Sequence, residues 1–192
     1  MNLAFMYQYF HQPRTVGALL PSSTHLAKKM VKGIDFEHAA CIVEYGPGTG
    51  VFTRELIRRR SACTTLLLIE YNRHFYEKVK EQVRDEKNVY VIHGSAENVQ
   101  KYLIQYDISK VDYVLSGLPF ASLAAEVSDC ILQNTRSVLA DEGKFITFQY
   151  TNLKKELIRT FFPQIEAEKE WRNVPPAYIF TCEKNEIKGV CK

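Results

Sequence analysis

Residues 65–70 read TLLLIE, and no polar side chain breaks the run LLLI. Successive side chains on a strand point to opposite faces, so this segment is apolar on both faces and must be covered on both. Comparable runs recur at 41–45 (CIVEY), 89–93 (VYVIH), 111–116 (VDYVLS) and 144–150 (KFITFQY). Between them, residues 50–60, 73–84, 97–104 and 123–139 carry apolar positions at helical spacing. Such alternation predicts parallel strands joined by crossover helices, with helices on both faces of one sheet. The last two strand-like stretches, 161–170 and 177–184, are joined by only WRNVPP. That is too short for a crossover, so they should pair antiparallel. The expected fold is α/β: a mostly parallel seven-stranded sheet with an antiparallel last strand.

Ahead of these units lies FHQPRTVGALLPSS, residues 10–23, too broken by Pro and Gly for a long helix and too apolar for a linker. Ser22 or Ser23 is placed to cap a helix over 24–32, and Gly33 to end it. Residues 1–34 are therefore expected to form a helical lid or acceptor segment of the same domain, with 35–192 as its main body. A chain of 192 residues suffices for one well-buried core.

Charge is unevenly spread. Residues 1–34 hold Arg14, Lys28, Lys29 and Lys32 and no acid, whereas the remainder carries 21 basic against 22 acidic side chains. A basic end of this kind suits phosphate, on lipid or nucleic acid. The five cysteines are scattered and odd in number, which fits reduced thiols in a cytoplasmic protein. No His/Cys cluster has ligand spacing, so no metal is expected. No run approaches the ~18 apolar residues of a membrane span, and the start lacks the pattern of a signal peptide.

The chemistry concentrates at strand ends. In VEYGPGTGVFTREL, 43–56, a buried strand runs through Gly46, Gly48 and Gly50 straight into a helix. Glycines permit a sharp turn and close approach of a ligand, and the helix start offers free N–H groups. Glu70 closes the second strand, placed to accept hydrogen bonds from both hydroxyls of a ribose. HGSAEN, 93–98, follows the third strand, and SGLPF, 116–120, follows the fourth. The carboxyl ends of such strands are where open α/β sheets bind ligands.

Taken in order, EYGPGTG, Glu70, GSAEN and SGLPF resemble the motifs of class I S-adenosylmethionine-dependent methyltransferases, over residues 40–184. The resemblance implies a Rossmann-like fold with S-adenosylmethionine as cofactor. It places Glu44, Tyr45, Gly46, Gly48, Thr49 and Gly50 around the methionine moiety. Glu70 and Tyr71 would lie at the ribose. Ser95, Ala96 and Glu97 would lie by the adenine, and Ser116 would border the cofactor. Many relatives have Asp where this chain has Ser95, which lacks the charge, so Glu97 is the alternative partner of the adenine amino group.

SGLPF is similar to the segment of adenine amino-group methylases in which a carbonyl and a polar side chain grip the amine while an aromatic ring stacks on the base. The matching residues are Ser116 or Gly117, Leu118, Pro119 and Phe120. Ribosomal RNA adenine dimethylases share the glycine loop and xLPF, but have Asn directly before LPF. They usually add a C-terminal helical domain, not expected here because the chain stops eight residues after its last predicted strand. RTVGALLPSSTHLAKKM resembles the N-terminal signature of bacterial phospholipid N-methyltransferases, which act on phosphatidylethanolamine. That resemblance spans about Phe5 to Lys184 and makes a phospholipid amine the expected acceptor. Ribosomal RNA adenine or a small amine is the alternative, with nucleic acid the less favoured partner.

On a helix, Leu3, Met6, Tyr7 and Phe10 share a face, widened by Phe5 and Tyr9. With the nearby basic residues this element suits either a lid or peripheral contact with anionic membrane, at the inner face. The acceptor amine must be neutral to attack, which makes Tyr7, His25 and the SGLPF carbonyls candidates for taking a proton or orienting it. Arg14, Ser22 and Ser23 are candidates for the lipid phosphate. Tyr7, Tyr9 or Phe120 is placed to cage a methylated cation.

Overall fold

The computed structural model describes residues 24–151 and 154–184. Helix α1 (Thr24–Met30) precedes β1 (Cys41–Tyr45), α2 (Val51–Arg59), β2 (Thr65–Glu70), α3 (Arg73–Gln82) and β3 (Val89–His93). A short 3-10 turn (Ala96–Asn98) leads into α4 (Val99–Gln105), then β4 (Val111–Ser116) and α5 (Ala125–Val138). The chain closes with β5 (Leu139–Gln149), α6 (Lys155–Phe161), β6 (Gln164–Glu170) and β7 (Ala177–Glu183).

The seven strands form one sheet in the order β3-β2-β1-β4-β5-β7-β6. β1 to β5 run parallel, and β7 is antiparallel to both β5 and β6. β6 therefore points the same way as β1, and β7 alone is reversed. This is the expected Rossmann-like methyltransferase architecture.

The two-faced strands divide their side chains between two cores. Leu67 and Ile69 of β2 join Val43, Tyr45, Val114 and Phe145 beneath α4, α5 and α6. Leu66 and Leu68 join Ile42, Leu115 and Ile146 beneath α1, α2 and α3. Leu26 and Met30 of α1 share that second core with Phe52 and Leu56 of α2. The expected helix at 24–32 thus packs as part of the same body, although its cap at Ser22 or Ser23 lies outside the described residues.

Three boundaries differ from expectation. Residues 155–161 form α6, so that β6 begins at Gln164 rather than at the expected residue 161; Ile158 and Phe162 are fully buried four residues apart, a helical spacing. β5 starts at Leu139 rather than Lys144, with a register shift between Val111 and Tyr113 of its partner strand. The helix expected over 97–104 splits into the 3-10 turn and α4, because Ser95 caps the turn by accepting from the Glu97 N–H.

Registers Tyr45↔Ile69, Tyr45↔Ser116 and Ser116↔Thr147 align the carboxyl ends of β1, β2, β4 and β5 on one edge. β1 and β4 flank the point where strand order reverses, the place where such sheets open a ligand crevice.

Candidate functional site

After Tyr45 the chain passes through Gly46, Gly48 and Gly50 at φ of 63°, 56° and 76°. These are left-handed conformations that side chains resist. Gly50 occupies the N-cap of α2 without a side-chain cap, leaving the first-turn N–H groups unclaimed by one. The Gly46 N–H donates to the Ile69 carbonyl at 2.9 Å, and the Gly48 N–H to Glu70 Oε2 at 2.9 Å. Glu70 Oε1 accepts from the Asn72 N–H at 2.8 Å. Glu70 therefore bridges the glycine loop and the turn after β2. On the other side the Gly117 N–H donates to the Tyr45 carbonyl at 2.9 Å. A Cβ at Gly117 would stand 2.9 Å from the Gly46 carbonyl oxygen, so the first and fourth strand ends touch through backbone.

Two buried carboxyls serve this loop. Glu44 is fully buried; its Oε2 accepts from the Thr53 hydroxyl at 2.8 Å, and its Oε1 has no hydrogen-bond partner. Burial pushes its pKa up to about 8, with the Glu70 charge adding to the rise and the Thr53 hydrogen bond opposing it. Burial also raises the Glu70 carboxyl, against the N–H donors of Asn72, Gly48 and Tyr71 and the charge of His93. Glu44 Oε1, an orphaned buried acceptor two residues before the glycine turn that leads into an uncapped helix start, is a candidate receptor for a cationic group. The donor set here fits the methionine end and ribose of S-adenosylmethionine.

The remaining cofactor candidates divide. Tyr71 is 47% exposed beside Glu70. Ser95 donates to Glu97 Oε2 at 2.8 Å and accepts from the Glu97 N–H at 3.3 Å. Its hydroxyl is thus engaged in orienting the carboxylate, which leaves Glu97 as the charged group of that turn. Ala96 is buried in the core. The Tyr45 side chain is buried too, where its hydroxyl accepts from Thr135 at 3.2 Å, so only its backbone faces the loop. The half-buried Thr49 accepts from Arg54 through its carbonyl.

At SGLPF, Ser116 is fully buried and its Oγ accepts from the Leu118 N–H at 3.2 Å. The Leu118 carbonyl accepts from Gln149 Nε2 at 3.1 Å. Gly117, Leu118 and Pro119 line a depression of about 280 Å³ with Ala121, Phe148, Gln149, Tyr150 and Pro175. Phe120 does not line it. Its ring is fully buried and packs edge-on against Phe145 at 6.2 Å, so the stacking and cation-caging contacts expected of Phe120 have no accessible ring face. His25 sits exposed on α1. Tyr7, Tyr9, Arg14, Ser22 and Ser23 lie outside the described residues.

Sequence reasoning passed over Gln149. Its amide is 4% exposed and ties β5 to the SGLPF loop. A polar residue closing an apolar strand on the ligand edge was the available signal, the same signal that exposed Glu70.

A family model described as ribosomal RNA adenine dimethylase matches residues 20–138. An ornithine lipid N-methyltransferase from Singulisphaera acidiphila is 29% identical over 181 residues, covering 93% of each chain. A mitochondrial ribosomal RNA small subunit methyltransferase from Arabidopsis thaliana is 24% identical over 110 residues, covering 56% of this chain and 26% of its own. The crystal structure of TrmN from Thermus thermophilus superposes with a TM-score of 0.69 at 13% identity, over 93% of this chain and 53% of that one. At that identity the likeness is one of fold.

Proposed function

The chain belongs to the ribosomal RNA adenine dimethylase family and is an S-adenosylmethionine-dependent methyltransferase; from that premise we propose that its acceptor is the amine of a lipid headgroup. The observation that carries this reading is coverage. Similarity to the ornithine lipid N-methyltransferase extends over 93% of both chains, whereas the Arabidopsis ribosomal RNA enzyme shares 26% of its length. The largely apolar wall of the depression beside SGLPF supports it. Phosphatidylethanolamine and ornithine lipid both present such an amine.

In this reading Glu44 and the glycines hold the methionine end of S-adenosylmethionine, Glu70 with Tyr71 holds the ribose, and Glu97, set by Ser95, reads the adenine. The sulfonium methyl supplied by the bound cofactor is already activated for in-line displacement, so the protein's task is positioning. Gly117 abuts the glycine loop directly, which brings the acceptor side against the cofactor side. The Ser116 hydroxyl, which accepts one hydrogen bond from the Leu118 N–H, keeps further capacity to orient an amine, while the Leu118 carbonyl, held by both the Phe120 N–H and Gln149 Nε2, fixes the shape of the loop. An apolar surround favours the neutral amine that must attack. Residues 1–34 complete the acceptor side as part of the same domain, with Tyr7 and His25 near the amine and Arg14, Ser22 and Ser23 at the lipid phosphate; residues 35–192 carry the cofactor. No helix among the described residues is long and apolar enough to cross a membrane. The enzyme would meet its lipid from the cytoplasmic side as a peripheral protein.

The test is transfer of labelled methyl groups to phosphatidylethanolamine, ornithine lipid, ribosomal RNA and small amines side by side. Label in the lipid extract is expected. Label confined to RNA would overturn the acceptor assignment and leave the methyltransferase intact.

A further inference from the structure

The turn between β6 and β7, WRNVPP at 171–176, breaks the usual pattern of a polar hairpin end. Trp171 is 69% exposed and Val174 is 65% exposed. Asn173, between them, is 2% exposed. Its amide donates to the Pro175 carbonyl at 2.8 Å, and its side chain hydrogen-bonds the Tyr150 hydroxyl. Pro175 and Tyr150 are both walls of the depression beside SGLPF. The turn therefore has a fixed base that is continuous with the candidate acceptor site, and a tip that holds an indole and an aliphatic side chain in water.

The charges around the tip favour an anionic partner. Lys169 places its ammonium 3.7 Å from the Trp171 ring centroid, and Arg172 is exposed at the tip. The acids nearest the tip are engaged. Lys29 of α1 pairs with Glu168 at 2.8 Å and lies 3.7 Å from Glu170, whose carboxylate also accepts from the Arg172 N–H. The same Lys29 donates to the Lys169 carbonyl at 2.7 Å, which brings α1, with exposed Lys28, to the flank of the turn. An indole with adjacent cations and a neighbouring aliphatic residue has the composition of an interfacial anchor.

We propose that residues 171–176 seat on an anionic phospholipid bilayer, with Trp171 and Val174 entering the headgroup region beside the mouth of the acceptor depression. The purpose of this contact rests on the lipid-headgroup reading, but its detection does not. Trp171 is the one tryptophan in the chain, so its fluorescence reports the turn directly.

The full-length protein is titrated with vesicles of phosphatidylcholine containing phosphatidylglycerol, with and without lipids brominated on their acyl chains. Insertion shifts Trp171 emission to shorter wavelength, and brominated lipid quenches it. Val174→Asp is expected to weaken vesicle binding at least about fivefold, and Trp171→Ala likewise by co-sedimentation. Both are expected to slow methylation of lipid in vesicles while leaving that of detergent-dispersed lipid unchanged. Unshifted, unquenched emission in protein that methylates lipid overturns the docking surface and spares the acceptor assignment. Shifted and quenched emission without lipid methylation supports the surface and removes the acceptor assignment. A blue shift that follows protein concentration without vesicles assigns the turn to self-association and overturns the proposal.

Discussion

Glu44 offers a measurable consequence of burying a carboxyl with one oxygen unpaired. Its pKa stands at about 8 against an ordinary 4.5. Between those values the folded protein keeps a proton that the unfolded chain has lost. The unfolded state then binds fewer protons, so stability falls as pH rises through the window. Each pH unit is worth about 1.4 kcal/mol, which gives up to about 5 kcal/mol across the window and about 2–4 once the surroundings relax. Glu44→Gln keeps the shape and an oxygen for Thr53 but does not titrate. Urea unfolding of the cofactor-free proteins from about pH 5 to pH 9 should show wild type losing that amount relative to the variant, with both curves flat in this respect above pH 8. Parallel profiles would refute the placement of Glu44 as a protonated buried acid. A cationic ligand group at Oε1 should also expel the proton. Calorimetry near neutral pH, in buffers of different ionisation enthalpy, should show proton release on binding S-adenosylmethionine in wild type and none in the variant.

Three further outcomes are expected. Glu70→Ala should weaken S-adenosylmethionine binding by about 10- to 100-fold, the loss of charged hydrogen bonds, and unchanged affinity in calorimetry would remove the ribose assignment. Gly117→Ala forces a Cβ to 2.9 Å from the Gly46 carbonyl and should destabilise the fold by about 1–3 kcal/mol in chemical denaturation; wild-type stability would contradict so close an apposition. Gln149→Ala removes one of the two hydrogen bonds held by the Leu118 carbonyl, the one that ties the loop to β5, and should lower kcat by about 5- to 30-fold with cofactor affinity unchanged. An intact kcat would confine Gln149 to packing.

Much of this protein is determined locally and is legible without coordinates. The ends of β1, β2, β3 and β4 are visible in the sequence because largely apolar runs stop at Gly or at a lone acid. Gly46, Gly48 and Gly50 announce a backbone that only glycine follows easily, and the observed positive φ at all three is its consequence. The α6 helix carried a usable signal in the spacing of Leu157, Ile158, Phe161 and Phe162, but an apolar run of that length suits a strand as well. What the sequence could not contain is which way side chains face once strands align. Phe120 sits inside a motif whose aromatic ring elsewhere meets substrate, yet here the ring packs on Phe145, 25 positions along the chain. Ser95 reads as a ligand until Glu97 folds back to accept its hydrogen bond. Gln149 gains its meaning from the Leu118 carbonyl, and Trp171 from a turn whose base Asn173 locks to Tyr150. The type and order of elements follow from local periodicity, where each residue answers to neighbours a few positions away. The site follows from contacts between residues tens of positions apart, and those exist only when β1, β4 and β5 lie in register.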